Sequence, residues 1–195
     1  MLALFLAASA NQSFFEKTLT LYPLAEHWPF LLSAAVVLVC ALAFVTAVFS
    51  LVFPVRAVGA FMLILAAVAG HFTDTFGVII DREMIRNMAL TDAGEARDLA
   101  TSGLVLRVLL LGLLPAAALF LIPLKETGFW RRQVAFATVI GQATVLTLVC
   151  MLPFTDAYDV YFREHKPLRY YTNPTYPIYS AIKFALDQRE ALTAH

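Results

Sequence analysis

Three stretches of this chain, Phe30 to Phe53, Leu104 to Leu124 and Val134 to Leu152, are each close to the length of a bilayer core and carry no charge except Arg107 near one end of the second. A helix needs about 20 apolar residues to cross a hydrocarbon core of about 30 Å, and few other folds tolerate such runs. Composition agrees: 61% of the 195 residues are hydrophobic and only 14% charged, too little charge to cover a soluble domain. The expected fold class is all-α, a polytopic membrane protein.

Two further segments complete the expected count. Ala57 to Gly70 is short for a span, but it extends through His71 and Phe72 into TDTFGV, and Pro54-Val55-Arg56 separates it from the preceding run. It reads as a fourth helix. The first segment, MLALFLAASANQSFFEKTLTLYP, starts with ten apolar or small residues and then turns polar at Asn11, Gln12 and Ser13. Ala8-Ser9-Ala10 mimics a signal-peptide cleavage site, yet no basic residue precedes the apolar run, so a first transmembrane helix is the preferred reading. Five transmembrane helices are therefore expected, plus amphipathic helices outside the membrane. Cys40 and Cys150 both fall in apolar runs without ligand spacing, and read as small core residues.

Basic residues in the short connections set the expected orientation. Arg56 and the link KETGFWRR, with Lys125, Arg131 and Arg132, fall on one side in a five-helix count and should face the cytoplasm. The Asp81 segment and everything after Phe154 then lie on the opposite face, which in a Gram-negative bacterium is the periplasmic side of the inner membrane, with the N-terminus cytoplasmic and the C-terminus periplasmic. The organisation expected is a transmembrane domain over 1–155, including a periplasmic helical segment over 81–100, and periplasmic interfacial helices over 156–195. A formal net charge of zero offers no concentrated basic face for nucleic acid.

DREMIRNMALTDAGEARDL, from Asp81 to Leu99, is the one dense mixed-charge segment between oily runs. Met84, Ile85 and Met88, then Ala96 and Leu99, recur at helical spacing with charges on the remaining arc, the pattern of a helix lying at the interface. Asp92 and Glu95 form an N-cap and N3 pair where the helix is expected to break. By charge pattern alone this is an amphipathic connector whose charges face water. Asn87, Thr91 and Glu95, however, recur every fourth residue and share a face of a continuous helix. A carboxylate pairs with an ammonium while an amide and a hydroxyl donate to phosphate oxygens, so the set suits a zwitterionic head group.

FFEKTLTLYPLAEH near the start, FTDTFGVIIDREMIRNMALTDAGEARDL in the middle and YFREHKPLRYYTNPTYPIYS after the last run resemble the membrane domain of bacterial lipid A phosphoethanolamine transferases, in the branch that includes the mobile colistin-resistance enzymes. The resemblance covers nearly the whole chain. It implies a five-helix membrane domain preceding a periplasmic catalytic domain of the alkaline-phosphatase type, where a threonine nucleophile beside zinc takes phosphoethanolamine from phosphatidylethanolamine and passes it to lipid A. By that resemblance Asn87, Thr91 and Glu95 line the head-group pocket, and membrane lipids and the catalytic domain are partners.

The same resemblance puts the nucleophile and zinc ligands outside these residues. His27, His71, His165 and His195 form no HxxxH or HExxH pattern, so no catalytic or metal residue is assigned here and the chain alone is expected to be inactive. In the tail, Arg163, His165, Lys166 and Arg169 among tyrosines suit interfacial anchoring, with contact to lipid A phosphates or the catalytic domain as the second reading. Pro167, Pro174 and Pro177 are expected to interrupt helix there, and Ile178 to Leu192 to form a last amphipathic one. Arg107 is expected to snorkel to the interface and Pro115 to kink its helix. Two other classes stay open: a non-catalytic membrane adaptor, and a small transporter subunit, the latter disfavoured because the spans show no charge pair at the sequence level.

Overall fold

Hydrocarbon offers the backbone no hydrogen-bond partner, so each apolar run satisfies its own polar groups as a helix. A computed structural model describes residues 1–90, 101–123, 128–164 and 166–193. The chain opens with α1 (Leu2–Ala10) and α2 (Gln12–Leu21). Then come α3 (Leu24–Val52), α4 (Val55–Phe76) and α5 (Arg82–Leu90). The second half holds α6 (Ser102–Leu121), α7 (Phe129–Met151), α8 (Thr155–Arg163) and α9 (Thr175–Thr193), with 3-10 turns at Leu152–Phe154 and Lys166–Tyr171.

Among the described residues four helices are long and apolar enough to cross a membrane: Leu24–Val52, Val55–Phe76, Ser102–Leu121 and Phe129–Arg163. The expected count of five is not confirmed. The N-terminal segment is split at Asn11, whose φ of −124° and ψ of 31° end α1 before α2 begins. α3 starts six residues earlier than Phe30 and kinks at His27, where Pro29 two residues on has no N–H to continue the ladder. Ahead of Pro115, the expected site of a kink, the helix carries a π-helical turn over Val108–Leu113. Pro177, expected to interrupt helix, is accommodated in the first turn of α9, which begins at Thr175.

α3 packs along α7 and α4 along α6, while α1 lies against both α3 and α4. α4 buries Gly59, Ala66, Ala67, Ala69 and Gly70, the small residues that let helices approach when lipid removes any hydrophobic drive between them. Outward, Leu106, Leu110, Leu146 and Leu148 remain about half exposed, the surface that meets acyl chains. The bundle's two ends differ. At one, Arg56 Nη2 donates to the Ile122 carbonyl at 2.7 Å and Gln133 Nε2 to the Leu51 carbonyl at 2.9 Å, tying together the two basic links. At the other, α2, α5, α8 and α9 gather, and Tyr22, Phe30, Tyr158 and Tyr161 form an aromatic cluster. That end carries the polar chemistry.

Candidate functional site

α4 stops at Gly77, whose φ of 66° is left-handed and natural to glycine, and the chain turns out of the bundle. Asp81 Oδ1 then accepts from the Met84 N–H at 2.9 Å, an N-cap that starts α5. Met84 and Ile85 are half-buried while Arg82, Glu83, Arg86 and Asn87 are exposed, the amphipathic arrangement expected of this segment. α5 packs on α9, which buries Pro177 and Ile178 and exposes Tyr179 and Lys183. Together they form a lid on one end of the bundle, polar above and apolar below.

Above the lid, α5, the Lys166–Tyr171 turn and α9 enclose an open cleft of about 670 Å³, with Glu83, Arg169, Thr172, Thr175 and Lys183 in its walls. The Arg169 guanidinium lies 5.2 Å from the Tyr170 ring centroid, and Lys183 Nζ lies 6.0 Å from that of Tyr179, so rings steady both cations. Tyr170 and Tyr176 pack at 4.7 Å. Burial pushes the Tyr176 phenol above its ordinary pKa, partly offset by its hydrogen bond with Ser180, so it stays a neutral donor. The Arg82 guanidinium is held to Asp187 at 2.7 Å, which ties α5 to α9 across the lid. Cations, hydroxyls and the Asp81 and Glu83 carboxylates around one cavity suit a zwitterionic head group.

Of the residues singled out for the head group, Asn87 lies on the exposed side of α5, one turn beyond Glu83 on the same face. Thr91 and Glu95, like the Asp92 cap, lie outside the described residues. The described residues contain no group of three or more His, Cys, Asp or Glu that could hold a metal ion.

Two buried polar clusters beneath the lid were not visible in the pattern of the sequence. Arg107 does not snorkel outward: its Nη2 pairs with Asp74 Oδ2 at 2.5 Å and donates to the Ser9 carbonyl at 3.1 Å. Asp74 Oδ1 accepts from the Ser13 hydroxyl at 2.6 Å and the Ser13 N–H at 3.0 Å, so the carboxylate is satisfied on both oxygens. A charge pair between spans therefore exists, contrary to expectation. An aspartate inside an apolar helix was the available signal, because such a residue normally has a named partner. Gly70 makes the approach possible, since a Cβ there would stand 2.9 Å from Arg107 Nη2 and 3.3 Å from the Ala10 backbone. The second cluster explains the break in the first segment. Asn11 Nδ2 donates to the Asn173 carbonyl at 2.8 Å, the Asn173 N–H donates to Asn11 Oδ1 at 2.7 Å, and Asn173 Nδ2 reaches the Ala10 carbonyl at 3.2 Å. Both side chains are fully buried.

The sequence profile of the family described as phosphoethanolamine transferase EptA/EptB matches residues 38–189. The chain belongs to this family. Over 194 residues it is 35% identical to phosphatidylethanolamine transferase Mcr-2 of Escherichia coli, covering 100% of this chain and 36% of that relative. Mcr-1 of Escherichia coli is 35% identical over 184 residues, 94% of this chain and 34% of that protein. The fold matches the integral membrane protein lipooligosaccharide phosphoethanolamine transferase A (EptA) from Neisseria meningitidis with a TM-score of 0.89 at 24% identity, over 97% of this chain and 36% of the other. This chain is thus a membrane domain of the phosphoethanolamine transferase family, and it spans about a third of the length of the relatives it matches.

Proposed function

We propose that this domain anchors a lipid A phosphoethanolamine transferase in the bacterial inner membrane and helps to hold its donor, phosphatidylethanolamine, at the periplasmic surface. The observation that carries the reading is the polar lid: in a family named for phosphoethanolamine transfer, the membrane-crossing helices end beneath two amphipathic helices whose outer face mixes cations, hydroxyls and carboxylates. In this reading Glu95 takes the ammonium while Asn87 and Thr91 hold the phosphate, and the Arg169 and Lys183 cleft is offered to the phosphates of lipid A. The N-terminus is cytoplasmic, residues 1–155 form the transmembrane domain, and 156–195 lead along the periplasmic interface toward the catalytic domain. Zinc and the nucleophile belong to that domain; the described residues do not fit a metal and no chemical step is assigned to them. The link to colistin resistance follows from the same reading.

A small transporter subunit is disfavoured by the placement of the one buried ion pair described here. Asp74 is in the last turn of α4 and Arg107 about one turn into α6, near the interface rather than at the midplane where carriers bind. The test of the donor reading is Glu95→Gln in the purified chain, read by native mass spectrometry. A charge-assisted hydrogen bond is worth about 1.5–3 kcal/mol, so phosphatidylethanolamine should lose roughly tenfold or more in affinity while phosphatidylglycerol, which has no ammonium, does not. Unchanged lipid preference in Glu95→Gln, Asn87→Ala and Thr91→Ala alike refutes the assignment and leaves a solvated connector.

A further inference from the structure

Beneath the lid runs a groove of about 380 Å³ lined by apolar side chains throughout. Its floor is one face of α4, Phe61, Leu65, Val68 and Phe72, at the spacing that aligns residues along a helix, with Phe49 of α3 beside Phe61 at the far end. From Phe61 to Phe72 the floor extends about 16 Å at about 1.5 Å per residue, close to half of a ~30 Å hydrocarbon core, the depth of one leaflet. The roof is the apolar underside of the lid, Ile85 and Met88 of α5 with Ile178 and Ala181 of α9. Arg82 and Glu83 of α5 and Lys183 of α9 line the polar cleft and not this groove.

The setting restricts what fills such a groove. It is continuous with the lipid-facing surface of the spans, where Phe61 is 53% exposed, so it opens to acyl chains rather than to water. It differs from the rest of that surface in having a roof, and the roof has an open rim where Met88 and Ile182 are 49% and 50% exposed. Met88 lies in the same helical turn as Asn87, so a lipid whose tail enters at this rim has its head group within a turn of the residues proposed to bind phosphoethanolamine. We infer that the groove holds one acyl chain of the glycerophospholipid donor, seating the lipid by its tail while its head is presented at Asn87. This rests on the donor reading above and adds what that reading lacks, a site for the apolar part of the substrate. Bulk lipid is as apolar as these side chains, so a chain in the groove is held by packing beneath the roof and not by a hydrophobic drive.

The test uses the full chain in nanodiscs containing phosphatidylethanolamine with a photoactivatable diazirine near the end of one acyl chain. Crosslinks should concentrate on Phe61, Leu65 and Val68. Ala181→Trp, at an exposed position, should fill the groove and cut that labelling roughly tenfold with the melting temperature unchanged, whereas Ala181→Ser should not reduce labelling. Labelling spread equally over the exposed leucines of α6 and α7, or unchanged in Ala181→Trp, overturns the inference. Its failure is separable from that of the head-group assignment: groove labelling that persists in Glu95→Gln, with lipid preference also unaltered, removes the head-group contacts and supports the tail site.

Discussion

Among the described residues two ion pairs of similar chemistry join separate helices, and they lie in opposite solvents. Asp74 and Arg107 are 11% and 15% exposed; the Ser13 hydroxyl also donates to the carboxylate, and the guanidinium also donates to the Ser9 carbonyl. Arg82 and Asp187 are 50% and 48% exposed across the lid. In the first, desolvation makes each charge costly without the other, so α1, α2, α4 and α6 are locked into one arrangement. In the second, water solvates either partner alone, so the contact orients the lid and adds little to stability. Burial, and not the identity of the residues, decides which pair is structural.

The largest effect should come from breaking the buried pair on one side only. Arg107→Ala leaves Asp74 buried without its cation, a loss of about 3–5 kcal/mol. Thermal unfolding in detergent should therefore drop sharply, and Arg107→Met combined with Asp74→Leu should recover much of it; a double variant no better than the single would break the comparison. Next in size is the uncharged clamp. Asn11→Ala strands the Asn173 N–H in a buried site, at about 1–3 kcal/mol. Limited proteolysis should then release the tail before the bundle unfolds, and simultaneous loss of both would show that the clamp belongs to the core. The smallest effect is at the lid. Arg82→Ala and Asp187→Ala should leave the melting temperature unchanged, and raising the salt to about 1 M, where the screening length is ~3 Å, should not alter the unfolding of the parent domain through this pair. A clear shift in either measurement would show that the exposed pair is structural after all.

The spans were legible from the sequence because a helix in lipid closes its hydrogen bonds within its own segment, so local hydropathy suffices to locate it. Their ends were less so: α3 begins at Leu24 and α7 at Phe129, since aromatic and polar residues at the interface extend a helix that hydropathy truncates. The amphipathic character of α5 and α9 was equally readable, as was the presence of Asn87 on the exposed side of α5.

What only the tertiary structure decided concerns polar groups whose partners are far along the chain. Asn11 interrupts the first segment because its amide pairs with a residue 162 positions away, and no local pattern announces that the partner will be there. Arg107 at the end of an apolar run has two physical options, to reach outward to the interface or inward to a carboxylate. Gly70 and Ala10 leave room for it beside Asp74, and that packing chose the second. In the same way the sequence by itself determined an all-helical membrane domain with a charged, amphipathic segment at one face. Which polar side chains became buried clasps and which stayed open to solvent depended on where the helices came to lie, because a charge is cheap in water and costly in hydrocarbon until a neighbour meets it.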